Sequence, residues 1–564
     1  MGSTVSSGIL ASEPTEGKKN LFVFCLLWLV TFILYLPTAK AGWVIDSAGW
    51  LYNITHMGFW DYINRTQSGI PSLYQFTQFT TYLFYKLWGA NPWCWHVLMV
   101  TMHAVNAWLV FIICSRLFTD SGIKNAGAIA LGGVILYTIS PHLSEVIVWE
   151  ASYHYLQGFL FILLILFCVQ QFLYMPRYKY IWWAGIIYFL STYSLEIFYL
   201  TPWFTLTLAA YYRTALHYDK KVFKKTIQWF FIPQLILFFL HLVALRLVYA
   251  HFAHIAENLV QPAVNYLCKA PKYLFHVLFF GRYFSYDIRQ KVYHLCESTK
   301  GLIVFYSVFI VLCIYIAARF KKMASKGKAG TLLFVWLLLS LFILTPLAFP
   351  DILLMFYDRY TYFLNAFVYM LLALFVSYIP NKYIRILLLS VYGLTNLYFT
   401  IKVNRYWQQS TNIDNSLLQN LPPAGDKIIL LLNIPENMNG IAMIGAQPEG
   451  EYKAMRDQFV EKKVNNVIYD VASYNMLTAK DGAHIMVVND SMLHVTLNQW
   501  GTWWWYEGHG GRSYETKDYK LNMIDSGHWY ELTLKHPSSQ YMLLYSVGDQ
   551  WKIVDMNRKN EDQN

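Results

Sequence analysis

Long apolar runs separated by short polar turns make up most of the chain as far as about residue 403. About eleven of these runs approach the length of a bilayer-spanning helix. The first run follows Lys18 and Lys19 and has no small-residue cleavage pattern after it, so we expect it to stay as an anchor. The pattern predicts spans at roughly residues 21–39, 93–115, 126–141, 152–175, 179–194, 196–212, 227–250, 301–319, 330–348, 360–379 and 383–401.

After residue 403 the pattern changes to short segments with strand-like composition, separated by Asn, Gly, Pro and Asp. We therefore predict an α-helical polytopic membrane domain over residues 1–403 and a C-terminal β-rich or α+β domain over residues 404–564. The membrane domain has two long outer loops, at residues 40–92 and 251–300. The predicted strands lie in the segments DKIILLLNIPENMNGIAMIG, AHIMVVND, MLHVTLN, HWYELTLKH and QYMLLYSV.

The composition agrees with a membrane protein and excludes an ordinary soluble enzyme. Of 564 residues, 56% are hydrophobic, 18% are aromatic and only 14% are charged. The formal net charge of +11 comes largely from Lys and Arg in alternate short turns, which places the N-terminus inside. An odd number of spans then places the C-terminal domain outside. The basic residues do not form one continuous face, so we expect no nucleic-acid partner.

Acidic side chains gather at the opposite, outer ends of the spans. A carboxylate at a membrane edge is costly unless it is paired or used, and Glu196 has almost no loop around it. For Asp61, a solvated outer loop is explanation enough. The outer acids are Asp46, Asp61, Glu145, Glu150, Glu196, Asp351 and Asp358.

The segment YTISPHLSEVIVWEASYHYLQGFLF, residues 137–161, places several polar groups between two apolar runs. Ser140 and Pro141 fit the N-cap and first position of a short helix. On such a helix one face carries His142, Glu145 and Trp149, and another carries Glu150 and His154. Two interpretations remain open: a pocket lined by these groups, or an interfacial helix with solvated charges and a tryptophan belt.

Both outer loops are rich in aromatic and basic residues. Aromatic faces stack against sugar rings, and Lys or Arg binds phosphate, which suggests a sugar donor carried on a lipid phosphate. Trp and Tyr at a membrane surface also serve as anchors. The segment NQWGTWWWYEGHGGRSYE in the C-terminal domain presents a similar choice between ligand contact and packing.

Four segments, in order, resemble those of a known family. They are Gly-x-x-Pro at residues 89–92, then HVLMVTMHAVNAWLV with His96, His103 and Asn106, the PHLSEVIVW segment, and YDRYTY with Asp358, Arg359, Tyr360 and Tyr362. The pattern resembles the GT-C superfamily of membrane glycosyltransferases, and most closely its protein O-mannosyltransferase-like branch, which includes transmembrane O-mannosyltransferases with tetratricopeptide repeats. The likeness covers approximately residues 20–400. The 34-residue repeats are absent here, so the acceptor is open.

The resemblance implies about a dozen spans, a catalytic Asp or Glu in the first outer loop, and a polyprenyl-phosphate or polyprenyl-diphosphate sugar donor. Asp46, in GWVIDSAGW, matches that acid by position. Many relatives have an acidic pair here, whereas this chain has Ser47. A divalent cation therefore stays open as a cofactor, with Glu145 or Glu150 as further oxygen ligands.

The chemistry of such a transfer assigns roles to the outer residues. Asp46 is the candidate base, and Arg359, assisted by Tyr360, is the candidate phosphate ligand. Arg359 can instead be a structural ion-pair partner of Asp358 or of another acid. The remaining candidates, which would orient the sugar or the acceptor, are His142, Glu145, Glu150 and Glu196, whereas His96 and His103 are expected to be packed polar contacts.

The predicted function is thus transfer of a sugar or oligosaccharide from a polyprenyl carrier to a hydroxyl of a protein or a glycan on the outer membrane face. The alternative is a non-catalytic transporter of lipid-linked glycans or an assembly scaffold. A transporter should carry charges at mid-membrane or paired broken helices, whereas the acids here lie at the outer rim. The compact loops favour a bacterial inner membrane with a periplasmic C-terminus over the endoplasmic reticulum.

Overall fold

The structure is a computed structural model of the full chain. It describes residues 14–44, 46–64, 73–194, 196–249, 260–320, 322–342, 358–445, 451–498, 513–524, 528–557 and 562–563. The outer acid Asp351 and the tryptophan-rich segment around Trp503 lie outside the described residues.

Each of the eleven predicted spans coincides with helical structure. Helical repeats of apolar residues are stable in a bilayer because every backbone group is paired within the helix. The helices that match the predicted spans are α1 (Pro14–Tyr35), α5 (Pro92–Asp120), α6 (Ala126–Thr138), α8 (Tyr153–Tyr174), α9 (Tyr178–Ser191), α10 (Thr201–Ala215), α12 (Ile232–Tyr249), α15 (Thr299–Arg319), α16 (Ser325–Leu341), α17 (Tyr362–Ser377) and α18 (Lys382–Gln419).

Seven of the described helical segments are each long and apolar enough to cross a membrane. An eighth span is obtained if α6 and the bent segment Pro141–Val148, 59° apart in direction, count as one. Helices α9, α10 and α16 are shorter, at 14, 15 and 17 residues. The chain is therefore a multi-pass membrane protein.

The two predicted outer loops also contain helices. In the first loop these are α2 (Asp46–His56), α3 (Phe59–Asn64) and α4 (Gln75–Trp88), and in the second they are α13 (Val260–Leu278) and α14 (Tyr286–Glu297). Two short helices complete the membrane domain: α7 (Ser144–Val148) and α11 (Lys220–Thr226). Helix α13 is amphipathic, with apolar residues on one face and polar residues on the other, as expected for a helix that lies along an interface.

Helices α5, α6, α8 and α17 pack together at the centre of the bundle. The two histidines expected to be packed polar residues are buried there. His103 Nδ1 lies 2.9 Å from the Tyr362 hydroxyl, and the Asn106 amide donates to the Leu156 carbonyl at 3.0 Å. These hydrogen bonds tie α5 to α17 and α8, as polar contacts commonly do between membrane helices.

Beyond α18, the described residues of the C-terminal part form three sheets and the helix α19 (Glu451–Phe459). Helix α18 runs without a break through residues 403 and 404, where the sequence pattern predicts the domain boundary. The four-stranded sheet has the order β12-β11-β1-β4, the six-stranded sheet β13-β6-β7-β10-β9-β8, and the small sheet β3-β2-β5. The strands are β1 (Ile428–Leu431), β2 (Ile434–Met438), β3 (Ile441–Ala442), β4 (Ile468–Asp470), β5 (Ser473–Met476), β6 (His484–Asn489), β7 (Met492–Thr496), β8 (Tyr514–Glu515), β9 (Tyr519–Ile524), β10 (Trp529–Leu534), β11 (Tyr541–Val547), β12 (Gln550–Ile553) and β13 (Asp562–Gln563).

All five segments predicted as strands from the sequence contain strands. In β10 the buried residues alternate with partly exposed ones, which is the pattern of a strand with one face on the core. The strands of the six-stranded sheet pair antiparallel, whereas β1 pairs parallel with both β11 and β4. The C-terminal domain is therefore α+β rather than β alone.

Candidate functional site

The segment that joins α6 to α8 does not form the continuous short helix expected from the sequence. A 3-10 turn at Pro141–Leu143 is followed by α7, and the chain is extended at Trp149 before a second 3-10 turn at Glu150–Ser152. Ser140 does not cap a helix, because its hydroxyl donates to Asn365 and accepts from Tyr369. The break turns the polar side chains of this segment toward different neighbours.

Glu145 and Arg359 form an ion pair at the end of the bundle that the sequence pattern predicts to be the outer one. The Arg359 guanidinium donates to Glu145 Oε1, and the Arg359 backbone N–H donates to Oε2 at 2.9 Å. The guanidinium carbon lies 5.1 Å from the ring centres of both Trp149 and Tyr360. Arg359 is thus paired with Glu145, and its side chain keeps 15% of its surface accessible.

Asp46, the first residue of α2, lies close enough to this ion pair for the charge of Arg359 to act on its carboxyl. Its side chain is exposed, yet burial by the surrounding protein raises the pKa of its carboxyl above the ordinary value. The charge of Arg359 acts in the opposite direction and lowers this pKa. Asp46 is thus accessible to solvent and also has protein around it. We call the group formed by Asp46, Glu145 and Arg359 the outer recess.

Contacts between the first outer loop and the broken segment hold α2 in place. The Trp149 indole N–H donates to the Val44 carbonyl at 3.1 Å. Glu150, which is 3% exposed, lies within hydrogen-bonding range of Ser47. The Ser47 hydroxyl itself donates to the Val44 carbonyl at 2.9 Å, so this residue helps to hold the start of α2 and does not supply the second acid that the resemblance implied.

Glu196 is placed on the same side of the bundle. The Tyr74 hydroxyl donates to Glu196 Oε2 at 3.3 Å, and the Tyr74 ring meets the His154 ring at a centroid distance of 6.1 Å. His154 in turn lies 6.0 Å from Trp50, one turn after Asp46 on α2. Within the part of the chain that the structure describes, three buried atoms here lack a hydrogen-bond partner: Glu150 Oε2, His154 Nδ1 and Glu196 Oε1.

Asp358 is the centre of a second, fully buried cluster, which we call the Asp358 cluster. Its Oδ1 atom lies 3.1 Å from His142 Nδ1 and 2.6 Å from His276 Nε2, and Arg282 donates to its Oδ2 at 2.6 Å. His276 Nδ1 lies 2.8 Å from the Tyr293 hydroxyl. His142 is thus committed to Asp358 and is 0% exposed, so its side chain does not face the outer recess as the sequence pattern suggested.

The C-terminal domain closes over this end of the bundle. The second terminal nitrogen of Arg282 donates to the Asn439 carbonyl at 2.7 Å, in the turn between β2 and β3. Asn439 and Gly440 in this turn have φ angles of 51° and 83°, a backbone conformation that glycine adopts readily. Helix α19 also contacts α2. One arginine therefore joins the membrane domain, the second outer loop and the C-terminal domain.

The structure brings the predicted residues together in two groups. Asp46, Glu145 and Arg359 form the outer recess, with Tyr360, Glu150 and Glu196 nearby, whereas His142 lies in the Asp358 cluster. The sequence pattern does not single out His276 and Arg282, because both lie in a loop that is rich in aromatic and basic residues throughout. The segment KAPKYLFHVLFFGRYF, with His276 and Arg282 at six residues' separation, was the available signal.

Comparisons with known proteins give little further information. No family model matches the chain, and no curated protein matches it. Among solved structures, it is similar to the crystal structure of ArnT from Cupriavidus metallidurans bound to undecaprenyl phosphate, with 15% identity and a TM-score of 0.32. The similarity covers 73% of this chain and 82% of that chain. A likeness this distant carries no argument about chemistry, so function has to be inferred from the geometry.

Proposed function

We propose that this chain is a GT-C type glycosyltransferase that moves a sugar or oligosaccharide from a polyprenyl-phosphate or polyprenyl-diphosphate carrier to a hydroxyl of a protein or a glycan. The observation that carries the proposal is the outer recess, in which an accessible, enclosed carboxylate, Asp46, lies beside Arg359, an arginine anchored by Glu145. Acid and cation are the two groups that this transfer requires.

Asp46 is the proposed general base. The acceptor oxygen attacks the anomeric carbon and forms the new glycosidic bond while its proton passes to the Asp46 carboxylate. The bond between the anomeric carbon and the phosphate oxygen breaks, and the carrier phosphate leaves with the electron pair. A carboxyl whose pKa is raised is a stronger base than an ordinary aspartate, which suits this role.

Arg359 is the proposed ligand of the leaving phosphate. Glu145 binds both its guanidinium and its backbone N–H, so the orientation of the side chain is fixed before the donor arrives. A fixed guanidinium stabilises the negative charge that develops on the phosphate without a cost of reorganisation. Trp149 and Tyr360 flank it and restrict where a phosphate can approach.

Glu150, Glu196 and His154 are proposed to bind the sugar or the acceptor. Each has a buried polar atom without a hydrogen-bond partner among the described residues, and buried polar atoms are rarely left unpaired. Sugar hydroxyls supply both donors and acceptors, so a bound sugar satisfies all three. Trp50 and Tyr74, next to His154, offer aromatic surface for the ring of the sugar.

The proposed location is the outer face of a bacterial inner membrane, with the C-terminal domain in the periplasm; the endoplasmic reticulum membrane is the alternative. The orientation rests on the excess of Lys and Arg in the inner turns. In support, the outer recess, the Asp358 cluster and the turn of the C-terminal domain that binds Arg282 all lie at the same end of the bundle.

The test incubates purified protein in nanodiscs with lipid extracts and labelled sugar donors, and measures label transferred to acceptor. Wild type is compared with Asp46→Asn and with the matched control Asp61→Asn, because Asp61 is an exposed acid in the same outer loop. Loss of a general base reduces rates by about 10²–10⁴-fold, so Asp46→Asn is expected to lose at least about 10²-fold while Asp61→Asn keeps the wild-type rate.

Two outcomes contradict the proposal. If Asp46→Asn transfers the sugar at the full wild-type rate, the assignment of Asp46 as the general base is wrong. No transfer by wild type with any donor, together with movement of the lipid-linked glycan between the leaflets of sealed vesicles that contain the protein, replaces the transferase by the transporter. A further pair, Glu145→Gln and Arg359→Lys, is expected to lower transfer while leaving the protein folded, because each removes the two-point fixation of the guanidinium.

A further inference from the structure

The Asp358 cluster combines two imidazoles and one carboxylate in a buried position, apart from the outer recess. We propose that His142, His276 and Asp358 bind one Zn²⁺ ion. The three side chains are each 0% exposed, and one ligand atom from each lies within 4.8 Å of the others. They come from three distant parts of the chain: the turn after α6, the end of α13, and the turn before α17. This inference does not depend on the proposed transferase activity.

The donor set selects the class of metal. Two nitrogen ligands and one carboxylate oxygen suit Zn²⁺ and similar divalent transition metals, whereas Mg²⁺ and Ca²⁺ prefer oxygen ligands throughout. Three protein ligands leave one coordination position of a tetrahedral ion for water or another small ligand.

Two of the three ligands are already oriented by neighbouring groups. The Tyr293 hydroxyl lies 2.8 Å from His276 Nδ1, which leaves Nε2 directed at the cluster centre. Arg282 holds Asp358 Oδ2, which leaves Oδ1 for the ion. Hydrogen bonds of this kind to the far side of a ligand are typical of metal sites, where they fix the orientation of the ring or carboxylate.

His142 supplies the second, independent observation. Its Nε2 atom is buried and has no hydrogen-bond partner among the described residues, while its Nδ1 lies 3.1 Å from Asp358 Oδ1. A buried ring nitrogen without a partner is costly. Since neither nitrogen of this ring is committed to a group outside the cluster, the ring can turn to present either one to an ion.

The competing explanation is a network held by protons alone, in which both imidazoles donate to Asp358 Oδ1. Zn–N and Zn–O bonds of about 2.0–2.1 Å place neighbouring ligand atoms of a tetrahedral site about 3.3 Å apart. The observed separations from Oδ1 are 3.1 and 2.6 Å, so each of these two distances has to lengthen by less than about 1 Å to accept an ion.

Charge gives a further condition. The carboxylate of Asp358 is already balanced by Arg282, so a bound dication introduces two positive charges into a buried place. Because unbalanced buried charge is costly, an anion is expected in the open coordination position. Added chloride should therefore tighten binding of the metal.

The test uses full-length protein purified in detergent without a histidine tag and stripped with a chelator. Titration with Co²⁺, whose visible absorption reports its coordination, is expected to show one equivalent bound per chain and displaced by Zn²⁺ but not by Mg²⁺. His276→Gln and Asp358→Asn should weaken binding by at least about 100-fold, and Tyr293→Phe by about 10- to 100-fold, the usual effect of losing a group that orients a ligand.

The matched control is His103→Gln, because His103 is equally buried and hydrogen-bonds Tyr362 outside the cluster. It should bind Co²⁺ like wild type. Tyr293→Phe keeps the ligands themselves and serves if a ligand variant fails to fold. The proposal is overturned if wild type takes up less than one equivalent at micromolar Co²⁺ and Zn²⁺, or if ligand variants that fold bind as tightly as His103→Gln, which would assign the uptake to one of the seven free cysteines.

Discussion

Two adjacent glycines in α6 allow a matched test of how the bundle holds the outer end together. Gly133 faces α17, and a Cβ placed on it would lie 2.9 Å from Met370 Sδ and 3.2 Å from Met370 Cα. Gly132 faces open space, with no atom within 4 Å of the same position. Helix α6 leads into His142 and α17 follows Asp358, so this close approach supports the Asp358 cluster.

The two Gly→Ala substitutions should therefore change stability in opposite directions. At Gly132, alanine gains helix propensity and is expected to stabilise by up to about 1 kcal/mol. At Gly133 the same gain is outweighed, because the Met370 side chain can move aside but the backbone of α17 has to shift, and such overpacking typically costs about 1–3 kcal/mol. Since the propensity gain is common to both variants, the expected difference is the overpacking cost, about 1–3 kcal/mol in favour of Gly132→Ala.

The assay is thermal unfolding of both variants in the same detergent, followed by the monomer peak in size-exclusion chromatography. A kcal/mol changes a melting temperature by about 2–4 °C in an unfolding unit of 150–250 residues, so the two variants should separate by several degrees. Equal melting temperatures, or a more stable Gly133→Ala, would refute the close packing of α6 on α17. Compared with the Met370→Ala single variant, adding Gly133→Ala should cost less than it does in wild type, because the Met370 side chain is then absent.

Two further predictions concern the outer end. If Asp46 is the base, the rate of transfer should fall as the pH drops through the pKa of its carboxyl. Since burial raises that pKa, the acidic limb of the rate profile should lie above the pH at which an exposed aspartate titrates. Asp46→Glu should move this limb and Asp61→Asn should not, and a flat profile through the acidic range would contradict the assignment. Arg282→Lys should destabilise the contact between the membrane domain and the C-terminal domain by about 1–3 kcal/mol, because one ammonium cannot hold both Asp358 Oδ2 and the Asn439 carbonyl. Limited proteolysis measures the effect: this variant should release the C-terminal domain faster than the exposed control Arg405→Lys. Equal rates of release would contradict the prediction.

Much of the membrane domain followed from local pattern, because a bilayer demands a continuous apolar helix wherever the chain crosses it. The structure differs from the sequence-based prediction where tertiary contacts override local preference. Ser140 has the sequence context of a helix cap, yet its hydroxyl is used between α17 and the turn that follows α6. Likewise α18 continues to Gln419, beyond its apolar part, because its later residues pack on the C-terminal domain.

The pattern of residues along the chain is enough to identify a multi-pass membrane protein. The apolar runs, the placement of Lys and Arg, and the acids at one end of the spans can be recognised without any knowledge of packing. Which charged side chains pair with one another depends on the tertiary structure. It pairs Arg359 with Glu145 and groups Asp358 with His142, His276 and Arg282. These residues are up to about 220 positions apart in the chain. Which buried charge meets which depends on how helices cross, and a one-dimensional pattern does not encode that geometry.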